Sequence, residues 1–264
     1  MKKIFTLILF VFTFSISSFS AIIILNGLSH KFKVQNGEVH KGTIEVSNTG
    51  STDQAVKLYQ TDYTFSSDGS SNYGVPGLLP RSNAKWVEVG ENMFTLKPKE
   101  KRVVNFQITV PSGDSLSGTY WSVIMLEGLL PPDTTKQMGQ FNIRTVTRYA
   151  VQIITTTGIE GIRELIIENT KVEKKGDKRL IVTEIKNTGD YMFETLLICE
   201  LFDEAGISKK IESPYRKKLY PNTSALFELD VTSFPAGKYN ALILADCEDD
   251  EAFGLNTQFE FKDE

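Results

Sequence analysis

The chain has 264 residues, 41% of them hydrophobic, a formal net charge of −4, and only two cysteines and two histidines. That length holds one large domain or two ordinary ones of roughly 100–150 residues each. No basic stripe is available to neutralise phosphates, which excludes nucleic acid as a partner, and His30 and His40 lie too far in sequence from Cys199 and Cys247 to suggest a zinc ligand set.

Residues 1–20 read as a cleavable export signal. Lys2 and Lys3 form a basic start, Ile4 to Ile16 an apolar run, and Ser18-Phe19-Ser20 supplies the small residues that a signal peptidase reads. Cleavage after Ser20 leaves Ala21 as the first mature residue; an uncleaved anchor is the alternative. The apolar run is shorter than the ~20 residues of a spanning helix. With no second long apolar run, the mature chain is expected to have no membrane span and to reside in the periplasm or the extracellular cell envelope.

Beyond the signal, the apolar segments alternate as strands do. Gly42 to Ser47 breaks at Asn48-Thr49-Gly50, and Gln54 to Phe65 ends at the turn signal Ser67-Asp68-Gly69. Ser66 to Lys85 is a long insert rich in Gly and Pro, which fits either a specificity loop or a flexible hairpin extension. Trp86 to Val89, Phe94 to Leu96 and Arg102 to Val110 follow, then Tyr120 to Leu126 and a long stretch from Phe141 to Ile154. Trp121, in the most apolar of these runs, is expected in the core. Helical periodicity is nowhere sustained, which argues against α/β enzyme folds.

The second half repeats the plan. Asn187-Thr188-Gly189 matches Asn48-Thr49-Gly50, Leu219-Tyr220-Pro221-Asn222 matches Leu96-Lys97-Pro98-Lys99, and Gly237-Lys238-Tyr239 matches Gly118-Thr119-Tyr120, all in the same order. Such a long period indicates duplication of a fold. Each pair has a job in a sandwich: a positive-φ turn at the Gly, a Pro that ends a loop before a strand, and a corner at which a Tyr hydroxyl bonds to backbone. The expected fold is therefore all-β, with two tandem immunoglobulin-like β-sandwich domains over 21–157 and 158–264. Cys199 and Cys247 fall in two strands of the second domain, and export leaves two states open, a disulfide or a pair of buried free thiols.

Chemistry-bearing motifs are sparse. Ser82-Asn83-Ala84-Lys85 matches a Ser-x-x-Lys pattern but sits in a loop and lacks the companion motifs. Asp246, Glu248, Asp249, Asp250 and Glu251 lack the ordered spacing of a calcium loop and read as a solvated hairpin tip. The expectation is a non-enzymatic protein with no catalytic residue, cofactor or metal, acting on other proteins.

The first half resembles the N-terminal domain of PapD-like periplasmic pilus chaperones. The resemblance rests on Thr43-Ile44-Glu45-Val46-Ser47-Asn48, on Leu96-Lys97-Pro98-Lys99-Glu100 with Lys99 where Gly is usual, and on Trp121 to Glu127 followed by Leu130-Pro131-Pro132. It implies an exported protein subunit as partner, bound by strand addition, with Phe141 and Ile143 as donor side chains. It also implies a basic clamp for the subunit's terminal carboxylate, with Arg148 as one member and Lys33, or Lys31, as the other. A cell-envelope or surface adhesion module with tandem immunoglobulin-like domains is the rival reading.

Overall fold

A computed structural model describes residues 22–113, 116–129, 145–248 and 251–262. The export signal, Leu130-Pro131-Pro132, Phe141, Ile143 and the acidic pair Asp249 and Asp250 lie outside the described residues. Among those described there is no helix, so none is long and apolar enough to cross a membrane.

The first sandwich holds β1 (Ile22–Ile24), β2 (Ser29–Lys33), β3 (Val39–Asn48), β4 (Gln54–Phe65), β5 (Ser71–Gly74), β6 (Val87–Val89), β7 (Met93–Leu96), β8 (Lys101–Thr109), β9 (Gly118–Gly128) and β10 (Arg148–Thr157). One sheet runs β1-β3-β8-β6; the other runs β2-β10-β9-β4-β5, with β7 also on β4. Alternation along each strand sends Ile44, Val56, Val104, Ile108, Ile124, Leu126, Val151 and Ile153 into one core between the sheets. Of the stretch expected from Phe141 to Ile154, the described part forms a strand from Arg148, and that strand continues to Thr157.

The second sandwich holds β11 (Leu165–Lys175), β12 (Lys178–Asn187), β13 (Phe193–Phe202), β14 (Ser208–Glu212), β15 (Lys217–Leu219), β16 (Ser224–Asp230), β17 (Gly237–Cys247) and β18 (Ala252–Phe261). Its sheets are β11-β12-β16 and β14-β13-β17-β18, with β15 on β13. On β13 every second residue is buried, Phe193 through Leu201, and these side chains meet Ala225, Phe227 and Leu229 of β16. The cysteines sit on adjacent strands, as expected, but Cys247 lies opposite Thr195 and Cys199 opposite Ile243. Four residues of offset is about 13 Å along a strand, beyond the ~7 Å that a disulfide spans. Both are buried free thiols.

The internal repeat is physically real, for a reason that differs from the expected one. Gly50 and Gly189 do not adopt positive φ. The turn is instead made by the asparagine before each, whose side-chain oxygen accepts the N–H two residues on, at 2.9 Å in both copies. The amide nitrogens of Asn48 and Asn187, both fully buried, donate to Leu96 and Leu219, the first residues of the second repeated motif. The positive φ falls three residues further on, at Lys99 (64°) and Asn222 (62°). Of the two Gly-x-Tyr corners, Tyr239 bonds back to the Pro235 carbonyl at 3.1 Å as expected. Tyr120 makes no such corner; its ring lies between Trp86 and the Arg81 guanidinium.

Candidate functional site

The first described strand, β1, lies in one sheet, and the chain crosses into the other with β2, which runs parallel to β10. That crossing covers only part of β10. Pairing with β2 spans Gln152 to Thr156, and among the described residues no strand covers the outer margin of Arg148 to Val151. Backbone polarity follows from the bonds at either side. Gln152 N–H donates to Leu28, and Gly128 N–H to Thr147, so Arg148 and Ala150 direct their backbone groups toward the open margin. A bare row of strand N–H and C=O groups is a template for a further strand.

The side chains of β10 divide the same way. Tyr149, Val151 and Ile153 face the first core. Arg148, Gln152 and Ile154 lie on the opposite face, where Gln152 and Ile154 meet Lys218 and Tyr220 in a cleft shared with the second sandwich. Arg148 is exposed and reaches Glu127 on the neighbouring strand, with Nε 3.0 Å from Oε2. Burial disfavours the charge on Glu127, but bonds from Arg148 and from the Tyr59 hydroxyl outweigh it and hold the carboxyl below its ordinary range.

The structure does not bring the expected basic clamp together. Lys33 lies opposite Thr156, eight residues along β10 from Arg148, or about 26 Å. One carboxylate cannot touch both. Lys31 is engaged elsewhere, reaching into the second sandwich to Glu194 at 2.8 Å and Glu248 at 3.3 Å. Although burial opposes its charge, these two carboxylates raise its pKa.

The cleft cation that sequence reasoning missed is Lys218. Its amine donates to Ser29 at 2.6 Å and to the Gln152 side-chain oxygen at 3.2 Å, and burial lowers its pKa. Beside it the Tyr220 hydroxyl donates to the same Gln152 oxygen at 2.8 Å. No local pattern marks Lys218 as special, because its partners come from the other sandwich.

Trp121 is buried, but not in the core of its own sandwich. With Ile154 and Tyr220 it forms a third apolar cluster between the two sandwiches, edged by Tyr63, Phe65 and Met192. Its ring stacks on Tyr220 at 4.6 Å. The Asn187-to-Tyr191 turn plugs into the start of β9: Thr119 N–H donates to the Asp190 carbonyl at 2.8 Å, and Met192 N–H to the Thr119 hydroxyl at 2.9 Å.

The three described acidic residues of the β17–β18 tip diverge, each to its own cation. Asp246 meets Arg216, Glu248 meets Lys31, and Glu251 meets Arg163. Ser82 spends its hydroxyl on the buried Asp62 carboxylate, in a loop as expected.

Among solved structures, a chain from a chaperone–tip-adhesin complex of CFA/I fimbriae biogenesis matches at TM-score 0.50 and 14% identity, over 90% of this chain and 99% of that one. This is the PapD-like chaperone fold. The class 5 fimbriae chaperone CfaA matches at TM-score 0.49 and 14% identity, over 89% and 98% of the two chains. A chain from the Salmonella enterica complex of SafA pilin with the SafB chaperone matches at 0.45 and 8%, over 93% and 98%. No family model and no curated protein matches the sequence. In the PapD-like fold of this chain, the features described above are a partly bare β10 and a polar cleft beside it.

Proposed function

We propose that this protein is a non-enzymatic periplasmic chaperone that holds an exported, assembly-bound subunit by β-strand addition, with 21–157 and 158–264 as its two domains. The observation that carries the reading is the margin of β10 at Arg148 and Ala150, which no described strand covers although β2 covers the rest of that strand from Gln152 to Thr156. An uncovered margin offers unpaired main-chain groups to a further strand, and strand addition draws affinity from main-chain bonds and specificity from alternate side chains. Arg148 supplies a charge at that margin. Phe141 and Ile143 precede it in sequence and are the donor side chains of this reading. Lys33, on β2 opposite Thr156 and far from Arg148, belongs to a separate contact with the partner.

The test is Ala150→Pro. Proline removes the outward N–H, and its ring is tolerated where no ladder bond is lost. Co-expression with the co-exported subunit, followed by affinity capture, should recover a stoichiometric complex with the parent chain and none with the variant, while thermal melting stays close to the parent. Capture of the subunit by a folded Ala150→Pro chain would refute strand addition at this margin. A complex left intact by Phe141→Asp/Ile143→Asp would remove those two residues from the reading.

A further inference from the structure

The insert between β4 and β6 is held to the first sandwich by two buried polar side chains. Asp62, buried at the end of β4, accepts the N–H groups of Gly77 (2.9 Å), Leu78 (2.8 Å) and Leu79 (2.7 Å) and the Ser82 hydroxyl. Asn83, also fully buried, donates to the Ile153 carbonyl and the Thr155 hydroxyl, both at 3.1 Å. Trp121 N–H donates to the Arg81 carbonyl, and its indole N–H to the Tyr63 carbonyl at 2.6 Å. Both ends of the insert are thereby sewn to β9 and β10.

From that anchored base the segment reaches the second sandwich on three different elements. Tyr63 and Phe65 set their rings edge-on against Tyr220, at 6.5 and 6.1 Å. At the hairpin turn, Ser67 N–H donates to the Ser224 hydroxyl at 3.2 Å, and the Ser67 hydroxyl holds the Glu184 carboxyl below its ordinary pKa, with help from Asn169. Arg81 pairs with Asp190, which also accepts the Ile162 N–H. A single covalent crossing, residues 158–164, leaves two sandwiches free to hinge and twist; inter-domain motion is the default when no further contact opposes it. The insert's contacts at three separate points, added to those of Lys31, Lys218 and Thr119, oppose both motions.

We infer that residues 62–86 are a brace that fixes the angle between the two sandwiches, so that the cleft beside β10 is already formed before any partner arrives. The insert is neither a flexible extension nor a part of the strand-accepting margin. Pre-forming a cleft removes an ordering cost from binding, and this role stands whether or not strand addition is the mode of binding.

The experiment is a distance distribution by double electron–electron resonance between nitroxides at Lys41→Cys and Lys209→Cys, one exposed site on each sandwich. The two native thiols are buried, and mock labelling of the parent chain verifies that they stay unlabelled. One narrow distance is expected with the insert intact. Phe65→Ala/Ser67→Gly/Arg81→Ala should broaden or split it, whereas Lys85→Ala, an exposed insert position, should leave it narrow. If the triple variant does not fold, Ser67→Gly and Arg81→Ala are read singly, and broadening in either supports the brace. An unchanged width in the folded triple variant, or in both single variants, overturns it.

Discussion

Replacing Tyr220 by alanine tests whether the two sandwiches share stability. Tyr220 is fully buried, stacked on Trp121, flanked by Tyr63 and Phe65, and bonded through its hydroxyl to Gln152. An aromatic side chain buries ~200 Å², which at ~25 cal/mol/Å² is about 5 kcal/mol as an upper figure. Large-to-small replacement of buried aromatics costs about 3–5 kcal/mol. Tyr220→Phe removes only the hydroxyl bond, a loss of about 1 kcal/mol. For a protein of this size each kcal/mol moves Tm by about 2–4 °C, so Tyr220→Ala should fall by roughly 6–20 °C and Tyr220→Phe by a few degrees. Scanning calorimetry should also resolve the single transition of the parent into two in the alanine variant, because the cluster that couples the sandwiches is gone. A parent that already melts in two independent steps, with Tyr220→Ala lowering neither by more than a degree or two, would refute the shared cluster.

Three further outcomes follow from the same geometry. Gly118 has φ of +96°, and a Cβ there would lie 2.3 Å from the Asp190 carbonyl oxygen, so Gly118→Ala should cost about 2 kcal/mol or more in chemical denaturation, combining left-handed strain with a displaced joint. Asp230 has its pKa lowered to about 2 by the Thr232 hydroxyl and N–H and by Lys178. A lowered folded pKa contributes stability above the unfolded value near 3.8 that is lost as pH falls through about 2; because the group is largely exposed, Asp230→Ala should lose less than ~1 kcal/mol at pH 7 and nothing below pH 2 in urea titrations. Burial pushes the Cys199 thiol up to about 12 and raises that of Cys247, so an aromatic disulfide reagent at pH 8 should find both thiols unreactive in the folded protein and two reactive thiols after unfolding, whereas fast native labelling would contradict their burial.

What is legible locally comes from period and punctuation. Alternation of Val104, Phe106, Ile108 and Val110 within Arg102 to Val110 predicts a two-faced strand, since a strand repeats every two residues whatever its neighbours are. The repeated Asn-Thr-Gly and Leu-x-Pro motifs are legible as turns because the bonds that build them span a few residues. Their mechanism is not legible at Gly50 and Gly189, where the asparagine before each makes the turn, because which residue takes the positive φ depends on a side chain that also reaches a distant carbonyl.

Contacts between the halves were not legible. Trp121 belongs to a strand that is apolar on both faces, and Ile154 directly follows the core residue Ile153, so composition does not say that these two meet Tyr220 rather than their own core. Lys218, Gln152 and Ser29 form one polar cluster from three distant stretches of chain, and Arg148 and Lys33 look equivalent in sequence although the parallel pairing of β2 on β10 holds them far apart. Local sequence determined that this chain is strands and turns, built twice, because periodicity and turn chemistry act over a few residues. Tertiary structure alone decided how the copies meet, which margin no described strand covers and what the insert holds, because those depend on the register and packing of strands far apart in the chain.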